Sequence, residues 1–177
     1  MASRYRNFKS EGQDDKNACW AACLVWWLRA TNKRKIEQWE IMSDDQYSDL
    51  WNPQQGGDGT IQEAGMSKVV KDGRWQMDYE KVENAKNFSY ATLSSHLAYG
   101  PVYIGYKDLV SNGNHVNVIY NLFGPEQYAQ VSVMEPGHKK KSNGKFEGKH
   151  LTRSLNYYRN SGIIILGSPN TMISLDR

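Results

Sequence analysis

Between Gln13 and Leu28 the chain reads Gln-Asp-Asp-Lys-Asn-Ala-Cys-Trp-Ala-Ala-Cys-Leu-Val-Trp-Trp-Leu, and no other stretch constrains the fold as much. A polar approach containing two acids gives way at Cys19 to ten consecutive apolar residues. Asp15 or Asn17 is placed to cap a helix whose first turn holds Cys19. A helix that is apolar on every side is expected at the centre of a domain, not on its surface. A thiol at the start of such a helix meets the positive end of the dipole and unpaired backbone N–H groups, and both favour thiolate. Gln13, six residues upstream, is close enough for its amide to reach the space beside Cys19. Cysteine is also one of the most buried residue types, and in an apolar helix it is ordinarily a packing residue. Cys23, one turn further on, is read in that way.

Downstream, Asn32–Lys35 reads as a solvated turn, and Ile36, Trp39 and Met42 suggest helix within Ile36–Tyr47. Gln54–Gly59, with its Gly56-Gly57 pair, is a loop. Thr60-Ile-Gln-Glu63 has the form of a capping box, followed by Ile61, Met66, Val69 and Val70 at helical spacing up to Gly73. Trp75, Met77 and Tyr79 alternate with polar residues, as in a short strand. Ser89 is placed to cap a helix running to Tyr99, stopped by Gly100-Pro101. From there the period is that of strands: Pro101–Tyr106, His115–Leu122, Tyr128–Glu135 and Gly162–Leu166 are rich in Val, Ile and Tyr. The lysine-rich run His138–Lys149 between them reads as a solvated hairpin loop.

Helices first and strands second, with no βαβ alternation, predict an α+β fold. A helical part built on a buried central helix would pack against an antiparallel sheet. The 177 residues suffice for one domain with a real core, and the expected unit is 1–177. A net charge of +3 is too small to argue for nucleic acid. Two cysteines four residues apart on one helix make no disulfide framework. The first residues, Met-Ala-Ser-Arg-Tyr-Arg-Asn-Phe-Lys, have no apolar run of the signal-peptide kind, and no segment is apolar for the length of a membrane span. A cytoplasmic location, or secretion by a signal-independent route, is expected.

A nucleophilic thiol needs a base near neutrality. Of the four histidines, His96 falls in a short helix, and His138 and His150 flank the lysine-rich loop. All three are expected to be exposed and without a special role. His115 differs, because it opens a strand directly after a Ser-Asn-Gly-Asn turn, where a side chain faces a cleft while Val116 and Val118 anchor the strand. The next strand ends Val-Ser-Val-Met-Glu135-Pro-Gly, and its carboxylate is a candidate to accept the second imidazole N–H. Strict alternation puts Glu135 on the face of Val131 and Val133, so a twist or bulge before Pro136 is expected to turn it toward His115. Asn117 and Asn121 are alternatives for this third position.

The order Gln, then Cys-Trp, then Gly-Asn-His at a strand start, then acid-Pro at the end of the next strand resembles the papain-like cysteine peptidases. It is most similar to the compact bacterial ones, the double-glycine leader peptidases and the papain-like effectors of plant pathogens. The resemblance covers roughly Gln13 to Leu166, including Gly-Pro-Val-Tyr-Ile-Gly-Tyr before the histidine strand. It implies a cleft between the helical part and the sheet, with Cys19 as nucleophile, His115 as its partner and Gln13 in the oxyanion hole. Glu135 takes the acid position, where the family usually has Asp or Asn. Neither metal nor cofactor is implied. The expected reaction is cleavage of a protein or peptide substrate, with Gly-Gly sites first in line. The same triad also serves glutamine deamidation, transamidation and peptidoglycan amide hydrolysis, and a binding module using the cleft or the lysine loop is the non-enzymatic alternative. A small domain of this kind without a signal peptide looks like the toxin of a secreted bacterial effector, made with an immunity protein.

Overall fold

Two helices open the chain, α1 (Ala2–Arg6) and α2 (Cys19–Ala30), and every residue of α2 except Arg29 is buried. The computed structural model describes residues 2–31, 34–50, 61–110 and 112–171. The expected Gln54–Gly59 loop, Thr60 of the expected capping box, and Asn32 and Lys33 of the expected turn lie outside the described residues.

The start of α2 differs from expectation. Ala18 occupies the N-cap and no side chain caps the helix. The Asp15 carboxylate accepts the Asn17 N–H at 2.9 Å, and the Asp15 carbonyl accepts the Ala18 N–H at 3.0 Å. The acid is consumed by the turn before the helix, and the first N–H groups of α2 have no partner further back in it.

After α2 come α3 (Gln38–Met42) and α4 (Glu63–Lys71). The helix within Ile36–Tyr47 is thus a single turn and a half, closed by a capping box of Glu37 and Glu40. Its inward residues are Gln38 and Ile41, while Trp39 is 67% exposed. Helix α4 stops at Lys71, two residues short of Gly73. Strand β1 (Met77–Val82) follows, with Trp75 in the turn ahead of it. Helix α5 (Tyr90–Leu97) is capped by Ser89, whose Oγ accepts the Thr92 N–H at 2.9 Å.

The remaining elements are β2 (Val102–Lys107), β3 (Asn114–Phe123), β4 (Gln130–Lys140), β5 (Phe146–Ser154), α6 (Leu155–Arg159) and β6 (Ile164–Pro169). All six strands form one open antiparallel sheet in the order β1-β6-β2-β3-β4-β5. The fold is therefore α+β. The lysine-rich run is mostly strand and not loop: β4 continues to Lys140, β5 begins at Phe146, and only a tight turn lies between.

Helices cover both faces of the sheet. On one, α2 and α4 pack over Tyr103, Val116, Val118, Met134 and Ile165. On the other, α5 and α6 pack over Ile104, Ile119, Val131, Val133 and Leu166. Alternation along β3 sends Val116, Val118 and Tyr120 to the α2 side and Ile119 to the other.

Between α1 and α2 the chain runs as a strap along β5. The Gln13 N–H bonds the Pro136 carbonyl at 3.1 Å, and the Gln13 carbonyl accepts the Phe146 N–H at 2.9 Å. The two backbones touch at a pair of glycines. A Cβ on Gly12 would lie 1.9 Å from the Phe146 oxygen, and one on Gly148 would lie 2.2 Å from the Glu11 oxygen. Among the described residues no helix is long and apolar enough to cross a membrane.

Candidate active site

The strap, the start of α2, the start of β3 and the middle of β4 converge on a cavity of about 440 Å³ whose lining includes Gln13, Cys19, His115 and Glu135. Cys19 is 5% exposed and sits at the first position of α2, with the ring of His115 within hydrogen-bond reach. The His115 Nε2 is 2.7 Å from the Glu135 Oε1. That contact leaves Nδ1 for the sulfur.

Strand register alone delivers Glu135. Val118 pairs with Met134 and Ile119 with Val133, so one step back Asn117 stands opposite Glu135 and His115 lies diagonally beside it. His115, Asn117, Val133 and Glu135 share a face, and the bulge expected before Pro136 is not needed. The irregularities fall elsewhere, at Tyr120 in β3 and beyond Glu135 against β5.

The carboxylate is saturated. Its Oε1 also accepts the Gly137 N–H at 2.9 Å, and its Oε2 accepts from Asn117 Nδ2 at 3.0 Å and from Arg153 Nη2 at 2.8 Å. Asn117 therefore bonds the acid and not His115, and Asn121 pairs with Ser132 further along the sheet. Burial works against the charged forms of both His115 and Glu135, yet each is held charged by its neighbours. His115 is pushed up to about 10 by the Cys19 sulfur and the Glu135 carboxylate. Glu135 is held down to about 2 by its bond from His115 and by the charges of His115 and Arg153.

Gln13 is buried beside these groups, but its amide is committed. Nε2 donates to the Asp15 carbonyl at 2.8 Å and to the Lys16 carbonyl at 2.9 Å, which uses both hydrogens. Reversing the amide would aim oxygen at two carbonyls, so this orientation is the sterically and electrostatically sound one. Its Oε1 lies against Gly137, where a Cβ would approach to 2.9 Å. Gln13 as placed ties the turn that leads into Cys19, and an oxyanion would have to win a hydrogen from one of the two carbonyls.

No protein-family model matches the chain, and no curated protein matches it at a significant level.

Cys23 lies wholly inside, its Sγ donating to the Val116 carbonyl at 3.3 Å, and burial pushes its thiol well up. Two other histidines depart from the expectation that they are exposed and idle. His96 bridges Ser168 Oγ (2.7 Å) and Glu80 (2.8 Å), tying α5 to β6 and β1. His150 holds the Phe8 carbonyl at 2.6 Å and meets Trp26 and Tyr120 edge-on. Exposed His138 lines the cavity. Arg153 and Tyr157, also in the lining, were not anticipated from sequence, because their strand and helix carry no clear pattern. Among the described residues no cluster of His, Cys, Asp or Glu is placed to hold a metal ion.

Proposed function

We propose that the protein is a cysteine-dependent acyl-transfer enzyme of papain-like type, cleaving an amide bond in a protein or peptide. One observation carries this reading: a thiol at a helix start, in a cavity, is within bonding reach of an imidazole whose other nitrogen is 2.7 Å from a carboxylate. In the proposed reaction, the Cys19 thiolate paired with the His115 imidazolium attacks the carbonyl carbon. The backbone N–H of Cys19 at the uncapped start of α2 faces the developing oxyanion, a donor worth about 3 kcal/mol. The His115 proton passes to the leaving amine, giving a thioester. His115, now neutral, takes a proton from water, whose oxygen attacks the thioester and frees the acyl product and the thiolate. Glu135 fixes the ring throughout and supports its cationic form. Trp20, fully buried and edge-on to Tyr47, packs behind the nucleophile.

Iodoacetamide should alkylate Cys19 and spare Cys23. Cys19→Ala should fold normally and lose all turnover, and Cys23→Ala should keep most of it; the reverse pattern would sink the assignment. Comparing proteomes of cells expressing the wild type and Cys19→Ala separates the reactions this triad supports. New N-termini identify a protease, and glutamines gaining the mass of deamidation identify a deamidase. The secreted-toxin setting is part of this proposal: cytoplasmic expression of the wild type should arrest growth, and Cys19→Ala should not.

A further inference from the structure

We propose that Arg153 is a positioning residue for the Cys19–His115 pair, clamping Glu135 so that one carboxylate oxygen faces the imidazole while the carboxylate stays charged. This rests on the acyl-transfer reading above. Lys149 stands directly across from Glu135 in the β4–β5 register, but it is exposed and forms no ion pair with the acid. The cation that reaches Glu135 comes from Arg153, further along β5. Its guanidinium lies 4.5 Å from the centre of the Tyr157 ring, and its Nη1 donates to the Tyr106 hydroxyl at 3.2 Å and to Asn117 Oδ1. Asn117 Oδ1 also accepts from the hydroxyls of Tyr106 (3.0 Å) and Tyr158 (2.9 Å), so the amide is locked with Nδ2 toward Glu135. One planar fork thus holds the acid directly through Nη2 and, through Nη1, the amide that shares its Oε2.

The need for a permanent cation follows from the chemistry. His115 is positively charged in only part of the cycle. Once it has given its proton to the leaving amine, a buried Glu135 facing only neutral partners would be an uncompensated charge and would take up a proton. The groups around it are His115 from β3, Cys19 and Cys23 from α2, Tyr106 from β2, Tyr157 and Tyr158 from α6, and Arg153 from β5, while Lys16, Asp108 and His138 line the same cavity. Burial keeps the Tyr106 and Tyr158 phenols protonated, and of the two cations paired with Glu135, His115 and Arg153, Arg153 is the one that stays charged at every step.

The test needs no substrate: the rate of Cys19 alkylation by iodoacetamide is followed against pH in the wild type, Arg153→Met and Arg153→Lys. In Arg153→Met the acid limb should move up by about half a pH unit or more, because the site loses a fixed positive charge that favours thiolate and the carboxylate no longer holds the ring in place. In Arg153→Lys the limb should stay near the wild type, yet the rate should fall several-fold, since an ammonium does not span Glu135 and Asn117 together. An unshifted limb in a folded Arg153→Met overturns the inference, as does an equal shift in both variants. Should Arg153→Met fail to fold, the ¹³Cδ resonance of Glu135 in the wild type decides: titration in the ordinary glutamate range overturns the clamp. Wild-type Cys19 reacting no faster than Cys23 would instead bring down the acyl-transfer reading itself, and this inference with it.

Discussion

Because Glu135 occupies Nε2 of His115, Nδ1 is the ring nitrogen left for another partner. The two charged groups tie stability to pH in opposite directions. His115 has a folded pKa above its unfolded value of 6.5, so its contribution is complete below that value and is lost as the pH rises through about 10. Glu135 is depressed, so its contribution is complete above 4.5 and is lost as the pH falls through about 2. Urea unfolding of the wild type and His115→Gln should therefore show a stability gap at neutral pH that narrows as the pH is raised past the folded value. A gap that widens would contradict the ion pair. For Gln13→Ala, which both loosens the Asp15–Lys16 turn and removes an amide beside Cys19, the proposed turnover should fall by about 100-fold with the fold retained. Wild-type rates would remove Gln13 from the site.

At the scale of elements, the strap from Lys9 to Gln13 sets how far Gln13 and the start of α2 stand from β4. Gly148→Ala puts a Cβ against the Glu11 backbone oxygen, and backbone yields less readily than a side chain. A loss of about 1–3 kcal/mol is expected in chemical denaturation, with slower Cys19 alkylation because the strap shifts with it. Strand β5 is also where the chain was hardest to read. Phe146-Glu-Gly-Lys-His-Leu-Thr-Arg-Ser has no alternation, and only Gly148 in it is buried, so pairing with β4 and the strap makes it a strand. The loop reading of His138–Lys149 covered the first part of β5 and nothing marked the rest as strand, which left Arg153, the fixed cation on Glu135, unnoticed. By contrast α2 and β3 were legible, because unbroken apolar runs specify them, whereas the expected stop at Glu135-Pro136 was not one: β4 runs on through Glu-Pro-Gly to Lys140, paired with β5. The cap of α2 was not legible, since Asp15 spends its carboxylate one residue too early.

Over the whole molecule, the sheet is dry on both faces, whereas the sequence order of elements suggested one helical part against one side. Val118 and Ile119 are adjacent in β3 and fully buried on opposite sides. Val118→Ala and Ile119→Ala should each destabilise, the latter by about 2–5 kcal/mol; a negligible effect at Ile119 would mean that α5 and α6 do not cover that face. The strand order has a further consequence for how the molecule comes into being. Strands β1 and β2 never touch; β6, later in the chain than both, slots between them. While a ribosome is still synthesising residues before Ile164, β1 has no mate and the inner edge of β2 is bare. The cavity residues have all been synthesised by then, but the sheet that steadies β2, and through it His115, closes only after β6 emerges. The sheet around His115 is thereby completed only once a strand some fifty residues further along the chain has been made.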